Sequence, residues 1–86
     1  MQNKMKQACK DRGVLCFKTI AVGVRGYPDL TIFLPAGKTW LVEVKQPGGR
    51  LSASQIRRHR ELERNGHHVE TLDSVEDFID TLEHHL

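Results

Sequence analysis

Acidic residues are missing from the first ten positions, and cysteine, aromatic residues and long apolar runs are scarce along the rest of the chain. The only cysteines are Cys9 and Cys16. Two thiols make no disulfide framework, and one falls in a helical pattern while the other falls in a strand-like one, so both are expected as reduced core thiols. No leader with a basic start, an apolar run and a small-residue cleavage site is visible, which with the thiols points to a cytoplasmic protein. Apolar runs extend for only a few residues, far short of the roughly 20 that cross a bilayer, so no membrane-spanning helix is expected.

With 86 residues the chain is too short for two cores, and a single domain over residues 1–86 is expected. A domain of that size buries only about 60–65% of its unfolded surface. Pairing with a second copy is a common way to gain the missing burial, which makes a homodimer a reasonable expectation.

Net charge is +2, too mild to imply a polyanionic partner. Its distribution says more. Lys4, Lys6, Lys10 and Arg12 mark the first segment, Arg50, Arg57, Arg58 and Arg60 cluster after the middle of the chain, and acids dominate from Glu70 onward. One basic face fits that asymmetry, as does an ordinary solvated surface.

Met5, Ala8 and Cys9 are spaced as on a helix over Met1–Arg12, with Gly13 where a C-cap takes a positive φ. Val14–Ile20 reads as a strand, followed by a loop punctuated by Gly23 and Gly26. Leu30–Leu34 and Thr39–Lys45 read as strands joined by a Pro35–Lys38 turn, completing an antiparallel meander. Pro47, Gly48 and Gly49 break the chain. Ser52 and Gln55 then form the S-x-x-Q capping box of a helix running to Asn65, stopped by Gly66. Val69–Leu72 is a fourth strand, parallel to the third because a helix connects them. Val75, Phe78, Ile79 and Leu82 form the apolar stripe of a last helix that begins near Asp73 or Ser74. The order α-β-β-β-α-β-α predicts an α/β fold, a mixed sheet covered by helices.

The third strand carries the chemistry. Side chains alternate across a sheet, so Trp40, Val42 and Val44 share one face while Leu41, Glu43 and Lys45 share the other. Asp29, at the start of the preceding strand, reaches the same end if the two strands pair through the Pro35 turn. Two carboxylates then converge beside one ammonium. A hard divalent cation takes oxygen ligands and keeps waters for substrate and nucleophile, which suits phosphodiester hydrolysis. Asp29 and Glu43 would supply carboxylates and the Val44 carbonyl a neutral ligand. Lys45 would orient the attacking water or stabilise charge building on phosphorus. Taken alone, an E-x-K triplet is better read as a surface ion pair at a strand end.

Pro28-Asp29, followed by Glu43-Val44-Lys45, resembles the PD-(D/E)XK nuclease superfamily, whose core has the α-β-β-β-α-β order inferred above. Three stretches narrow the resemblance: Arg25-Gly26-Tyr27-Pro28-Asp29, Val42-Glu43-Val44-Lys45-Gln46-Pro47-Gly48-Gly49 and Leu51-Ser52-Ala53-Ser54-Gln55. With Gly66 and Val69, they look like the virus-type replication-repair nuclease (VRR-NUC) domain over nearly the whole chain. The resemblance implies a magnesium (Mg2+) or manganese (Mn2+) ion bound by Asp29 and Glu43, a catalytic Lys45, and Gln55 completing the site. Gln55 also has the capping role above. Family members carry a Glu early in the first helix, and here Gln2 or Asn3 lies nearest its place. A neutral amide can hold a metal-bound water, so weaker metal binding is expected rather than none.

The resemblance further implies a structure-selective DNA endonuclease, a homodimeric resolvase of four-way (Holliday) junctions acting in a bacterial or phage-infected cell. A two-fold dimer suits the two symmetric cuts that junction needs. The alternatives are a nuclease directed to flaps or nicks, and a branched-DNA-binding module with weak catalysis. Lys18, which ends the first strand and would face the same pocket, and Arg25, Arg50, Arg57 and Arg58 are candidate phosphate contacts. Gly48 and Gly49 would let the backbone approach DNA or simply turn into the helix. His67-His68 and His84-His85 lack common zinc-site spacing and are expected as ordinary surface residues, the second pair at a frayed end.

Overall fold

The computed structural model describes residues 1–86. Its elements are α1 (Gln2–Asp11), β1 (Leu15–Lys18), β2 (Leu30–Leu34), β3 (Lys38–Val44), α2 (Ala53–Arg64), β4 (His68–Leu72) and α3 (Val75–His85), with a single 3-10 turn at Pro35–Gly37. The strands lie in the order β1-β2-β3-β4. Neighbours are antiparallel until β4, which runs parallel to β3. A parallel pair needs a crossover, and α2 supplies it.

Local signals explain the boundaries. Past α1 the N–H groups of Arg12 and Val14 turn back onto the Cys9 carbonyl, and Gly13 takes φ +70°. At α2 both bonds of the capping box form: Gln55 N–H donates to Ser52 Oγ and Ser52 N–H donates to Gln55 Oε1. Ser74 caps α3, whose first turn carries Glu76 and Asp77 against the positive end of the helix dipole.

The sheet has two unlike faces. Leu30, Ile32, Leu34, Trp40 and Val42 pack on Met5, Ala8 and Cys9 of α1 and on Phe78 and Leu82 of α3, forming the buried core. Trp40 stacks on Phe78 with ring centroids 5.2 Å apart. The opposite face carries Leu41 and Glu43 under α2. That helix does not reach β1, so Leu15, Phe17 and Phe33 stay exposed there, the two phenyl rings 5.6 Å apart.

Three expectations change. The first strand stops at Lys18 rather than Ile20, because beyond one more bond, Thr19 N–H to the Asp29 carbonyl, the chain leaves the sheet and Ile20 is exposed. Both cysteines are free, but a helix and a strand do not keep them apart, since α1 packs beside β1. Mutual hydrogen bonding raises the Cys9 thiol pKa, burial adding to it, and lowers that of Cys16. Finally, the His84–His85 end does not fray. The helix continues through His85, whose ring lies 4.8 Å from that of Trp40, and His84 Nδ1 is 2.8 Å from the Asp80 carbonyl.

Candidate active site

Leu30 pairs with Val42, so Asp29 comes level with Glu43 at one end of the sheet. There Asp29 Oδ2 accepts a hydrogen bond from Val44 N–H at 2.9 Å, which pins the carboxylate to the last residue of β3. The approach to Asp29 is equally fixed. Pro28 is fully buried. Arg58 of α2 lies 4.7 Å from the Tyr27 ring and donates through Nε to the Arg25 carbonyl at 3.1 Å. Gly26 sits at φ +85° against α2, and a Cβ there would come within 2.3 Å of the Ser54 carbonyl oxygen. Only glycine lets this loop lie so close to the helix.

Glu43 is the unusual group. It is 1% exposed, an environment carboxylates rarely occupy unpaired. Burial pushes its pKa up to about 8, with the hydrogen bond to and the charge of Asp29 adding to the rise and the Lys45 ammonium opposing it. Glu43 Oε1 lies 3.1 Å from Nε2 of His59, itself buried. Burial holds His59 below its ordinary pKa, Lys45 adding to that effect and the Glu63 and Asp29 carboxylates opposing it. A neutral imidazole can orient Glu43 but does not neutralise it.

The site thus pairs a half-buried Asp29, just before β2, with a buried Glu43 on β3, and Lys45 follows two residues past Glu43. The VRR-NUC domain model matches residues 3–76. The chain belongs to the VRR-NUC domain family. A relative from Acyrthosiphon pisum secondary endosymbiont phage 1, named "Putative nuclease p44", is 42% identical over 62 residues, covering 72% of this chain and 67% of its own length. A solved VRR_NUC domain superposes with a TM-score of 0.87 at 30% identity, over 99% of this chain and 92% of that one. Another VRR_NUC domain protein shares the fold, with a TM-score of 0.68 at 20% identity over 81% of this chain and 65% of that one. The α-β-β-β-α-β core with its C-terminal helix is thus that of a VRR-NUC nuclease.

A nuclease of this family needs a divalent metal, and the residues present fit one. Two carboxylates that interact this closely resist being ionised together, and the buried one has no fixed cation to pair with except Lys45. All the donors are hard oxygens. Val44, Lys45 and Gln46 line an open cleft of about 560 Å³ together with Gln2 and Asn3. The first turn of α1 therefore reaches this end of the sheet with the amides of Gln2 and Asn3.

The other expected VRR-NUC site residues separate into groups. Gln55 spends its Oε1 on the cap, leaving its amide NH2 as the group free to contact substrate or water. Lys18 pairs with Leu30, so it leaves the sheet on the face of Leu30 and Val42, opposite to that of Glu43. The expectation that it faces the same pocket fails because strand parity, not proximity along the edge, sets the direction. Arg58 is half-buried in holding the Arg25–Tyr27 loop and pairing with Glu61 at 3.2 Å. Arg25, Arg50 and Arg57 are exposed. Gly48 takes φ +81° and Gly49 N–H donates to the Gln46 carbonyl, so this pair forms the turn that leads toward α2.

Sequence reasoning missed His59, and it missed that Arg57 shares a surface cleft with Arg60 and Arg64 beside Ile56. Both were recoverable from helical spacing. His59 is one turn beyond Gln55, and positions 57, 60 and 64 fall on one helical stripe.

Proposed function

We propose that this VRR-NUC chain is a magnesium-dependent endodeoxyribonuclease, manganese substituting, that hydrolyses phosphodiester bonds in branched DNA as a homodimeric four-way-junction resolvase. The observation that carries the reading is the buried Glu43 carboxylate held against Asp29, with Lys45 alongside. Asp29, Glu43 and the Val44 carbonyl would hold the ion. When bound, it supplies Lewis acidity at the phosphoryl oxygen and lowers the pKa of an attacking water.

The chain's own residues do the rest. The Val44 N–H keeps Asp29 in one rotamer, and His59 does the same for Glu43, so both carboxylates are positioned before substrate arrives. Lys45 places positive charge where the phosphorane gains negative charge. The amide NH2 of Gln55 would orient the water. Arg25, Arg50 and Arg57 would bind phosphates without reading sequence, while Arg58 acts through the loop and Lys18 would meet DNA only beyond the sheet edge.

A second copy is supported by the exposed Leu15, Phe17 and Phe33, an apolar patch beside the open edge of β1 that α2 leaves uncovered. The test is a panel of a synthetic four-way junction, a flap and a linear duplex with magnesium, run beside sedimentation of the protein. Paired symmetric cuts on the junction by a dimer support the whole reading. Cutting confined to flaps or nicked duplex keeps the nuclease and removes the resolvase, and tight binding with no cutting in any metal removes the enzyme.

A further inference from the structure

On the face of the sheet opposite Glu43, we propose a second metal site, built from His68, Glu70 and His85, that takes a borderline-soft divalent transition ion such as zinc. In the sequence His85 is 15 residues past Glu70, but β4 and the last turn of α3 bring their side chains together. One ligand atom from each lies within 4.8 Å of the other two. His68 Nε2 is 2.7 Å and His85 Nε2 is 3.8 Å from Glu70 Oε1. Zinc bonds of about 2.0–2.1 Å in a tetrahedral arrangement put ligand atoms about 3.3 Å apart. Those two separations bracket that spacing, so small side-chain rotations complete it.

A second observation points the same way. His85 Nε2 is buried and has no hydrogen-bond partner. Leaving such a nitrogen unpaired is costly, and aiming it at a carboxylate just beyond hydrogen-bond reach needs an explanation. A shared ion satisfies it. The supporting contacts are those of a built site: Trp40 Nε1–H donates to Glu70 Oε1 at 3.2 Å and fixes the carboxylate, while the Trp40 ring packs on His85. A cavity of about 340 Å³ lined by Trp40, His67, His68 and His85 admits water for a fourth position.

Imidazole donors favour zinc, cobalt or nickel over magnesium, so this site and the oxygen-lined nuclease centre select different ions. Its role is structural. The ion ties the end of α3 to β4 beside Trp40, independently of whether the chain cleaves DNA.

Trp40 is the only tryptophan, which gives the test a local probe. The full chain is titrated with cobalt chloride in excess magnesium while Trp40 fluorescence is followed, and zinc chloride is then added as competitor. Saturable quenching at one ion per chain, reversed by zinc, is expected. In His68→Ala and His85→Ala the affinity is expected to fall by more than about tenfold. Zinc should raise the melting temperature of wild type and not of His68→Ala, whose exposed position leaves folding intact. No saturable quenching in excess magnesium, or unchanged affinity in both variants, overturns the site.

Discussion

Nε2 of His59 and Oε1 of Glu43 stand 3.1 Å apart with both side chains buried, so a crossover helix fixes the direction of the carboxylate on β3. Removing the imidazole leaves a buried carboxylate without its orienting partner. His59→Ala is expected to weaken magnesium binding by about 10- to 100-fold, the usual cost of losing an orienting group, with much of the cleavage rate recovered at high metal. A magnesium titration of the cleavage rate checks this, and an unchanged metal requirement would show that His59 only packs.

The raised pKa of Glu43 sets a pH dependence. In the metal-free folded chain this group keeps its proton up to about 8, whereas the unfolded chain releases it near 4.5. The folded state therefore binds the extra proton between those values. The stability it contributes is complete below 4.5 and is lost as pH rises through about 8. Magnesium competes for the same oxygen, so the acid limb of the cleavage profile should move to lower pH as magnesium is increased. Denaturant unfolding without metal and rate profiles at two magnesium concentrations test the two halves separately.

Gly26 couples the loop to the helix. A methyl group there meets the Ser54 carbonyl, and the backbone lies in a region that suits glycine. Gly26→Ala is expected to destabilise the fold by about 1–3 kcal/mol and to lower cleavage by displacing Asp29. Gly23→Ala, whose added carbon meets nothing within 4 Å, should cost less and spare activity, since the loop is open there. Melting temperatures and cleavage rates of the two variants make the comparison.

The exposed face of α2 presents Arg57, Arg60 and Arg64 along one cleft. If they meet phosphates, each Arg→Ala should weaken binding to all DNA forms and reduce the slope of log affinity against log salt by about one. Arg58→Ala should instead lower stability, because its guanidinium holds the Arg25 carbonyl and the Tyr27 ring. Binding isotherms at several salt concentrations distinguish the two effects.

What the sequence disclosed follows physical range. The parity of β3 placed Glu43 and Lys45 together because alternation is a property of the strand itself. The Ser52–Gln55 box located α2 because capping needs only three residues of separation. Asp29 was legible through the short Pro35 turn that sets the register. Helical spacing could place His59 one turn beyond Gln55 but not name its partner, and the contacts of Arg58 and His85 were not legible, because these partners lie across the fold on elements whose rotation depends on packing. Lys18 was misplaced because its direction was taken from its position at the strand end, whereas its pairing with Leu30 turns it to the face opposite Glu43.

Glu43→Gln is the sharpest probe of a metal-binding centre formed by Asp29 and Glu43. The substitution keeps size and hydrogen bonding while removing a buried charge, so the variant should fold and, without metal above about pH 8, be at least as stable as wild type. Single-turnover cleavage of a four-way junction by both proteins, with and without magnesium, is the measurement. Magnesium-dependent product is expected from wild type and none from folded Glu43→Gln; cutting by the variant at the wild-type rate would remove Glu43 from the metal centre.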